Sequence, residues 1–275
     1  MNNSKWIQHM TWIEIQDYLK QGETVLVPVG ATEQHAEHMT LFMDTGWAVG
    51  MCEAVAKMVD VLIAPPVHYG WGPHHMAYKG TITLRSETLK QLCIDIGESL
   101  AYHGFKKIIF VNGNRVANLP AMQLAASYLR AKTGAFVAVA DTGLIGKKAV
   151  REICTSEIGG LGHAGESETS FMLHLWPEQV DMSKARINLR PHGRFSTSAA
   201  ALEPPYDAET VYVPPMLEEF LASSAPAGGL VGDAQSATAE KGKKILEVIS
   251  NSLADFLTQT VLPKEVKLKP VELPI

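Results

Sequence analysis

A chain of 275 residues, 46% hydrophobic and 19% charged, has an ordinary globular composition and enough length for one α/β domain with a sizeable core. Its net charge of −5 gives no electrostatic reason to expect nucleic acid or an anionic membrane as partner. Cys52, Cys93 and Cys154 are far apart and odd in number. They read as reduced core thiols of a cytoplasmic protein rather than a disulfide framework or a Cys-based zinc site. The stretch from Met1 to Trp6 lacks the apolar segment of a signal peptide, and no apolar run is long enough to span a bilayer.

Residues 8–20 have the spacing of a short amphipathic helix, with Trp12, Ile15 and Tyr18 along one side. The β-branched run from Thr24 to Val29 predicts a buried strand that ends at Gly30. Acid and imidazole groups follow at once: Glu33, His35, Glu37 and His38, then Asp44 just ahead of a helix-like stretch over 46–59. Glu33 and His35 are two apart, so an extended backbone sends both side chains to the same side. A carboxylate, an imidazole and a second carboxylate in so short a span make a ligand set for a borderline divalent cation. The plainer alternative is a polar surface loop; the position directly after a buried strand favours the metal.

Val61 to Ala64 predicts a second strand, ended by Pro65 and Pro66. Residues 69–81 are dense in Gly, aromatic and His residues, which suits a loop lining a pocket; Trp71, Tyr78 and His74 are its candidate substrate contacts. A helix is expected from Ser86, as N-cap, to about His103, with Gly104 placed to end it. The strand Ile108–Val111 leads into Asn112-Gly113-Asn114, followed by a helix to about Leu129, a strand over 135–140 and a helix over 145–153. Gly162 to Ser170 opens a further helix and sets His163 at its start, where the dipole favours the neutral imidazole; a simple helix cap would look the same. Residues 189–215 read as a long excursion packed on the domain. Gly232 permits a tight turn, the helix after it runs to about Phe256, and the tail 263–275 reads as extended, either loose or on a neighbouring subunit. Alternating strands and helices predict a single α/β domain over 1–275, with a mostly parallel central sheet and helices on both faces. Ligands of such sheets gather beyond the carboxyl ends of the strands, where Glu33-Gln34-His35 and Asn112-Gly113-Asn114 converge.

The run Gly30-Ala31-Thr32-Glu33-Gln34-His35, with His38 and Asp44, resembles the signature of the creatininase family. Gly80-Thr81 behind a His-containing segment, His163-Ala164-Gly165-Glu166-Ser167-Glu168-Thr169-Ser170 and the glycine-rich stretch from Ala227 to Gly242 extend the likeness over most of the chain. The resemblance implies hydrolysis of a linear or cyclic amide C–N bond with one or two divalent metals per subunit, zinc or manganese, with iron also in reach. It further implies cytoplasmic homo-oligomers, often hexamers. By the same resemblance His163 is catalytic with His75 on the wall of the site, and Glu33, His35, Asp44, Asn114 and Glu168 are the candidate metal residues.

Three departures qualify that reading. Members usually carry a metal-binding His directly after Asn-Gly, where this chain has Asn114; the creatinine-hydrolysing members add a Glu two residues on, where this chain has Val116. Val116, together with Gly159-Gly160-Leu161-Gly162 in place of a Trp and acidic residues, argues against creatinine itself as substrate. Asn114 leaves three explanations open: divergence to a one-metal enzyme, loss of catalysis, or an engineered substitution. A metal-dependent amidohydrolase of a lactam-like or formamide-like small molecule is the expected function, and a relative that binds metal or ligand without turnover is the alternative. A nucleotide-binding oxidoreductase would need a Gly-x-Gly-x-x-Gly turn after the first strand, which Gly30-Ala31-Thr32-Glu33 does not supply.

Overall fold

The computed structural model describes residues 4–156, 160, 162–189, 195–196, 209–210, 213 and 216–272. Four parallel strands form the central sheet in the order β2-β1-β3-β4: β1 (Thr24–Val29), β2 (Leu62–Ile63), β3 (Lys107–Asn112) and β4 (Phe136–Asp141). Every residue of β1 and β3 is buried, as continuous apolar runs in a doubly covered sheet require. Alternate side chains divide the core in two. Leu26, Ile109 and Val111 face one cluster; Val25, Val27, Ile108 and Phe110 face the other. The helices α2 (Met43–Met58), α5 (Lys147–Ile153), α6 (Glu166–Leu175) and α8 (Ala239–Phe256) supply the first cluster, and α3 (Ser86–Tyr102) and α4 (Arg115–Thr133) the second.

Register fixes where ligands can gather. Val29 stands opposite Asn112, and Asn112 opposite Asp141, so three strands stop level with one another. The loops leaving them start from one edge, the carboxyl edge expected from the sequence.

Several boundaries differ from expectation for local reasons. α1 spans only Trp12–Tyr18, because Thr11 and Glu14 close a capping box there. Its buried side is Ile15 and Tyr18; Trp12 is 73% exposed. Ser86 is the first residue of α3 rather than its cap, and Arg85 holds the cap position with extended backbone. Asp44 lies inside the first turn of α2, not ahead of it; a carboxylate is favoured there by the helix dipole. The glycine-rich turn at 162–165 delays α6 until Glu166, so His163 precedes the helix by three residues. The expected excursion over 189–215 falls largely outside the described residues.

The tail is not loose as far as residue 272. Lys269 N–H donates to Thr133 O, Lys269 Nζ reaches Ala131 O, and Leu268 and Val271 pack on the α3–α4 core of the same chain. A buried ion pair anchors α8. Glu166, inaccessible to solvent, accepts from Lys241 Nζ at 2.5 Å and from the backbone N–H groups of Thr155 and Ser156 at 2.9 and 2.7 Å.

Candidate metal centre and active site

Gly113 sets the position of the loop after β3. A Cβ there would collide with the carbonyl oxygen of Asp44, so the loop approaches the start of α2 backbone to backbone. Gly113→Ala is expected to cost about 1–3 kcal/mol through overpacking. Urea denaturation of the variant beside the parent checks this, and equal midpoints would refute it.

This approach gathers buried acids and imidazoles within a few ångströms. His35 Nε2 lies 3.5 Å from Asp44 Oδ1 and 3.6 Å from Glu168 Oε2. Glu33 Oε1 lies 3.2 Å from His75 Nε2 and 3.7 Å from His163 Nδ1. Asn114 Nδ2 sits between two carboxylates, 2.9 Å from Glu33 Oε2 and 3.2 Å from Asp44 Oδ2. Two acceptors facing it require a donor, so the amide presents its NH2 group there. Glu168 takes the Ala164 N–H at 2.6 Å and Arg115 Nη2 at 3.1 Å. Ala164, at φ 55°, is in a left-handed conformation rare for alanine, and this turn lets its N–H meet Glu168.

Electrostatics mark the cluster as a cation site. Burial, and then the charge of Asp44, push the Glu33 carboxyl well above the usual carboxylate range. Burial disfavours protonated His35, but the carboxylates of Asp44, Glu168 and Glu33 outweigh it and raise that imidazole to about 10. Like charges held together in a dry setting call for a positive partner. Among the described residues, Glu33, His35 and Asp44 form one group able to hold an ion; His35, His163 and Glu168 form a second, and Glu33, His75 and His163 a third. Within each group the ligand atoms lie within 4.8 Å of one another. The donor set of imidazole and carboxylate fits zinc or manganese.

Gln34, a residue the sequence reading passed over, organises the two remaining imidazoles. Its Oε1 accepts the Ala36 N–H at 2.9 Å, which turns Nε2 toward His163 Nε2 at 2.8 Å, His75 Nδ1 at 3.1 Å and Gly229 O at 3.2 Å. The NH2 group shares its two protons among these three acceptors and can accept none itself, so the ring nitrogens facing it are bare and both imidazoles carry their own protons on the nitrogens that face Glu33. Burial holds His75 and His163 well below the usual imidazole range, so both are neutral. Gly229 belongs to this arrangement: its φ of 103°, and the clash a Cβ would make with Gln34 Oε1, demand glycine.

Phe220, on α7 (Leu217–Ser224), closes the imidazole side with its ring 4.4 Å from that of His75. Nothing in the sequence pattern had pointed to it. The His74 ring lies 4.1 Å from that of His75, tilted by 47°. Tyr78 turns its hydroxyl to Ser224 Oγ at 2.8 Å, and Trp71 packs toward the α3–α4 core. The structure thus brings together Glu33, His35, Asp44, Asn114, Glu168, His75 and His163, with His74 alongside and Tyr78 edge-on behind Phe220 at 6.3 Å, while Trp71 is turned to the α3–α4 core.

Fold and site together define a parallel α/β protein with a buried acid–imidazole centre at the carboxyl edge of its sheet, able to hold a divalent cation. The family model for creatininase (creatinine amidohydrolase) matches residues 8–257, and the chain belongs to that family. It is 31% identical to creatinine amidohydrolase of Pseudomonas putida, over 96% of this chain and all of the relative. It is 32% identical to a mycofactocin precursor peptide peptidase of Mycobacterium ulcerans, over 81% of this chain and 79% of the relative. Among solved structures, a zinc–zinc form of a creatininase variant superposes with a TM-score of 0.76 at 28% identity, covering 95% of this chain and all of the other. A manganese creatininase does so with a TM-score of 0.73 at 28% identity and the same coverage.

Proposed function

We propose that this chain is a metal-dependent hydrolase that cleaves an amide C–N bond in a small, linear or cyclic molecule. The observation that carries the reading is the convergence of Glu33, His35 and Asp44 with two neutral imidazoles above the strand ends. Glu33, His35 and Asp44 would hold the cation, with Glu168 beside His35. A divalent cation in such a setting lowers the pKa of water and polarises a carbonyl.

The protein's own groups do the remaining work. His163 Nδ1–H and His75 Nε2–H both face Glu33 Oε1, and Gln34 keeps those protons in place from the far side of each ring. A neutral imidazole so held donates to the departing nitrogen, with the Glu33 carboxylate orienting the ring protons. Phe220 covers the rings and excludes water from that face.

His163→Ala is expected to lower kcat by about 10²–10⁴-fold, the usual worth of a general acid–base group. Metal content should stay at the parent's level, and an unchanged kcat would remove His163 from the mechanism. The wider test is turnover of a panel of lactams, cyclic ureas and formamides by zinc- or manganese-loaded protein. A second reading, binding without turnover, draws on Asn114, which offers a donor where a metal would use a ligand. Silence across the whole panel, with metal bound, would favour it. Cytoplasmic location and a homo-oligomer, a hexamer by family resemblance, belong to the same proposal. Among the described residues no helix is long and apolar enough to cross a membrane.

A further inference from the structure

The carboxylates of the centre meet three fixed donors that ligand spacing does not explain. Arg115, the first residue of α4, sets Nη2 3.1 Å from Glu168 Oε1, and the Ala164 N–H lies 2.6 Å from Glu168 Oε2, so both oxygens of this carboxylate are engaged. Immediately before it, Asn114 donates to Glu33 and Asp44 together. The stem of Arg115 lies across Gly143, where a Cβ would collide with it; the glycine beyond β4 leaves the room this approach needs.

Resting on the metal-centre reading above, we propose that the site takes a single divalent cation, with the Arg115 guanidinium as a permanent positive charge in place of a second. A guanidinium does not lose its proton in a protein, so its charge is present whatever else binds. A ligating His35 must be neutral. The carboxylates of Glu33, Asp44 and Glu168 then carry three negative charges, met by one dication and by Arg115, whose charge also acts on the buried Asp141 at the end of β4. A second dication would bring two further positive charges beside a guanidinium already in place, and a bound hydroxide would remove only one. An uncompensated charge is costly in surroundings this buried. Asn114 acts in the same direction, since an N–H donor faces Glu33 and Asp44 where a further metal would need an acceptor atom.

The test counts ions. Protein stripped with chelator is dialysed against zinc sulfate or, separately, manganese chloride, and metal per chain is measured by elemental analysis for the parent and for N114H/R115Q. The expected result is one equivalent in the parent and two in the double variant, which supplies an imidazole acceptor and removes the fixed charge. Zinc titration calorimetry on R115Q alone gives an independent reading. Loss of the neighbouring positive charge should tighten the first site by about 10-fold or more. Two equivalents in the parent, one in a folded double variant, or an unchanged zinc Kd in R115Q would each overturn the proposal. No bound metal in the parent would instead overturn the metal-centre reading beneath it, an outcome that a count of one or two cannot mimic.

Discussion

Asp44→Asn is expected to weaken zinc or manganese binding by at least about 100-fold. Loss of a residue that merely orients a ligand already costs about 10–100-fold, and Asp44 contributes the charge itself. Its carboxylate faces His35 Nε2 at 3.5 Å and shares the Asn114 donor with Glu33. In metal-free protein the substitution relieves repulsion on Glu33 and takes a partner from His35, two effects of opposite sign, so the fold is retained. The measurement is the rise in Tm on adding zinc, which reports ligand binding to the native state. The parent should show it and the variant should not at the same zinc concentration. An undiminished rise in the variant would remove Asp44 from the metal ligands.

Lys241→Met is expected to cost about 3 kcal/mol of stability while leaving the metal centre in place. Removing one partner of a buried ion pair costs about 3–5 kcal/mol because the other charge stays behind. The lower end applies, since the Lys241 side chain keeps 18% exposure. Burial opposes the ionisation of Glu166, but Lys241 and the N–H groups of Thr155 and Ser156 outweigh it and hold the carboxyl below the usual range. A carboxyl depressed in the folded state stabilises the fold above its unfolded pKa, near 4.3, and this contribution fades as pH falls through the folded value. Urea unfolding at pH 7 and in the acid range checks both claims. The parent should lose part of its margin over the variant as the solution is acidified, and a constant gap would contradict the linkage.

The strands and the last helix were legible because their signals are local. β1 and β3 carry short apolar runs rich in Val and Ile, and α8 keeps one apolar face through Ile245, Ile249 and Leu253, continued by Leu257 and Val261 in the π-helical turn that follows Phe256. The ligand cluster was legible in part because Glu33, His35 and Asp44 lie within a dozen residues of one another. The pairing of Arg115 with Glu168 was not, since 53 residues separate them and an arginine at a helix start is unremarkable as sequence. Gln34 stood in plain view between Glu33 and His35, yet its role depends on His163, 129 residues away, and on Gly229, 195 away. Phe220 sits on a short helix with no chemical signature at all. Proximity created by the fold is what sequence order conceals.

The tail has a dynamic consequence. α4 begins at Asn114 and Arg115 and ends at Thr133, whose carbonyl takes the Lys269 N–H, so the last residues of the chain fasten the far end of the element that starts in the centre. Fraying normally begins at such an end, where carbonyls lack partners within the helix. Strapped there, α4 should exchange its amide hydrogens slowly along its whole length. A chain shortened by its final dozen residues should release protection from the Thr133 end inward, and this slackening would arrive at Arg115 without any change made near it.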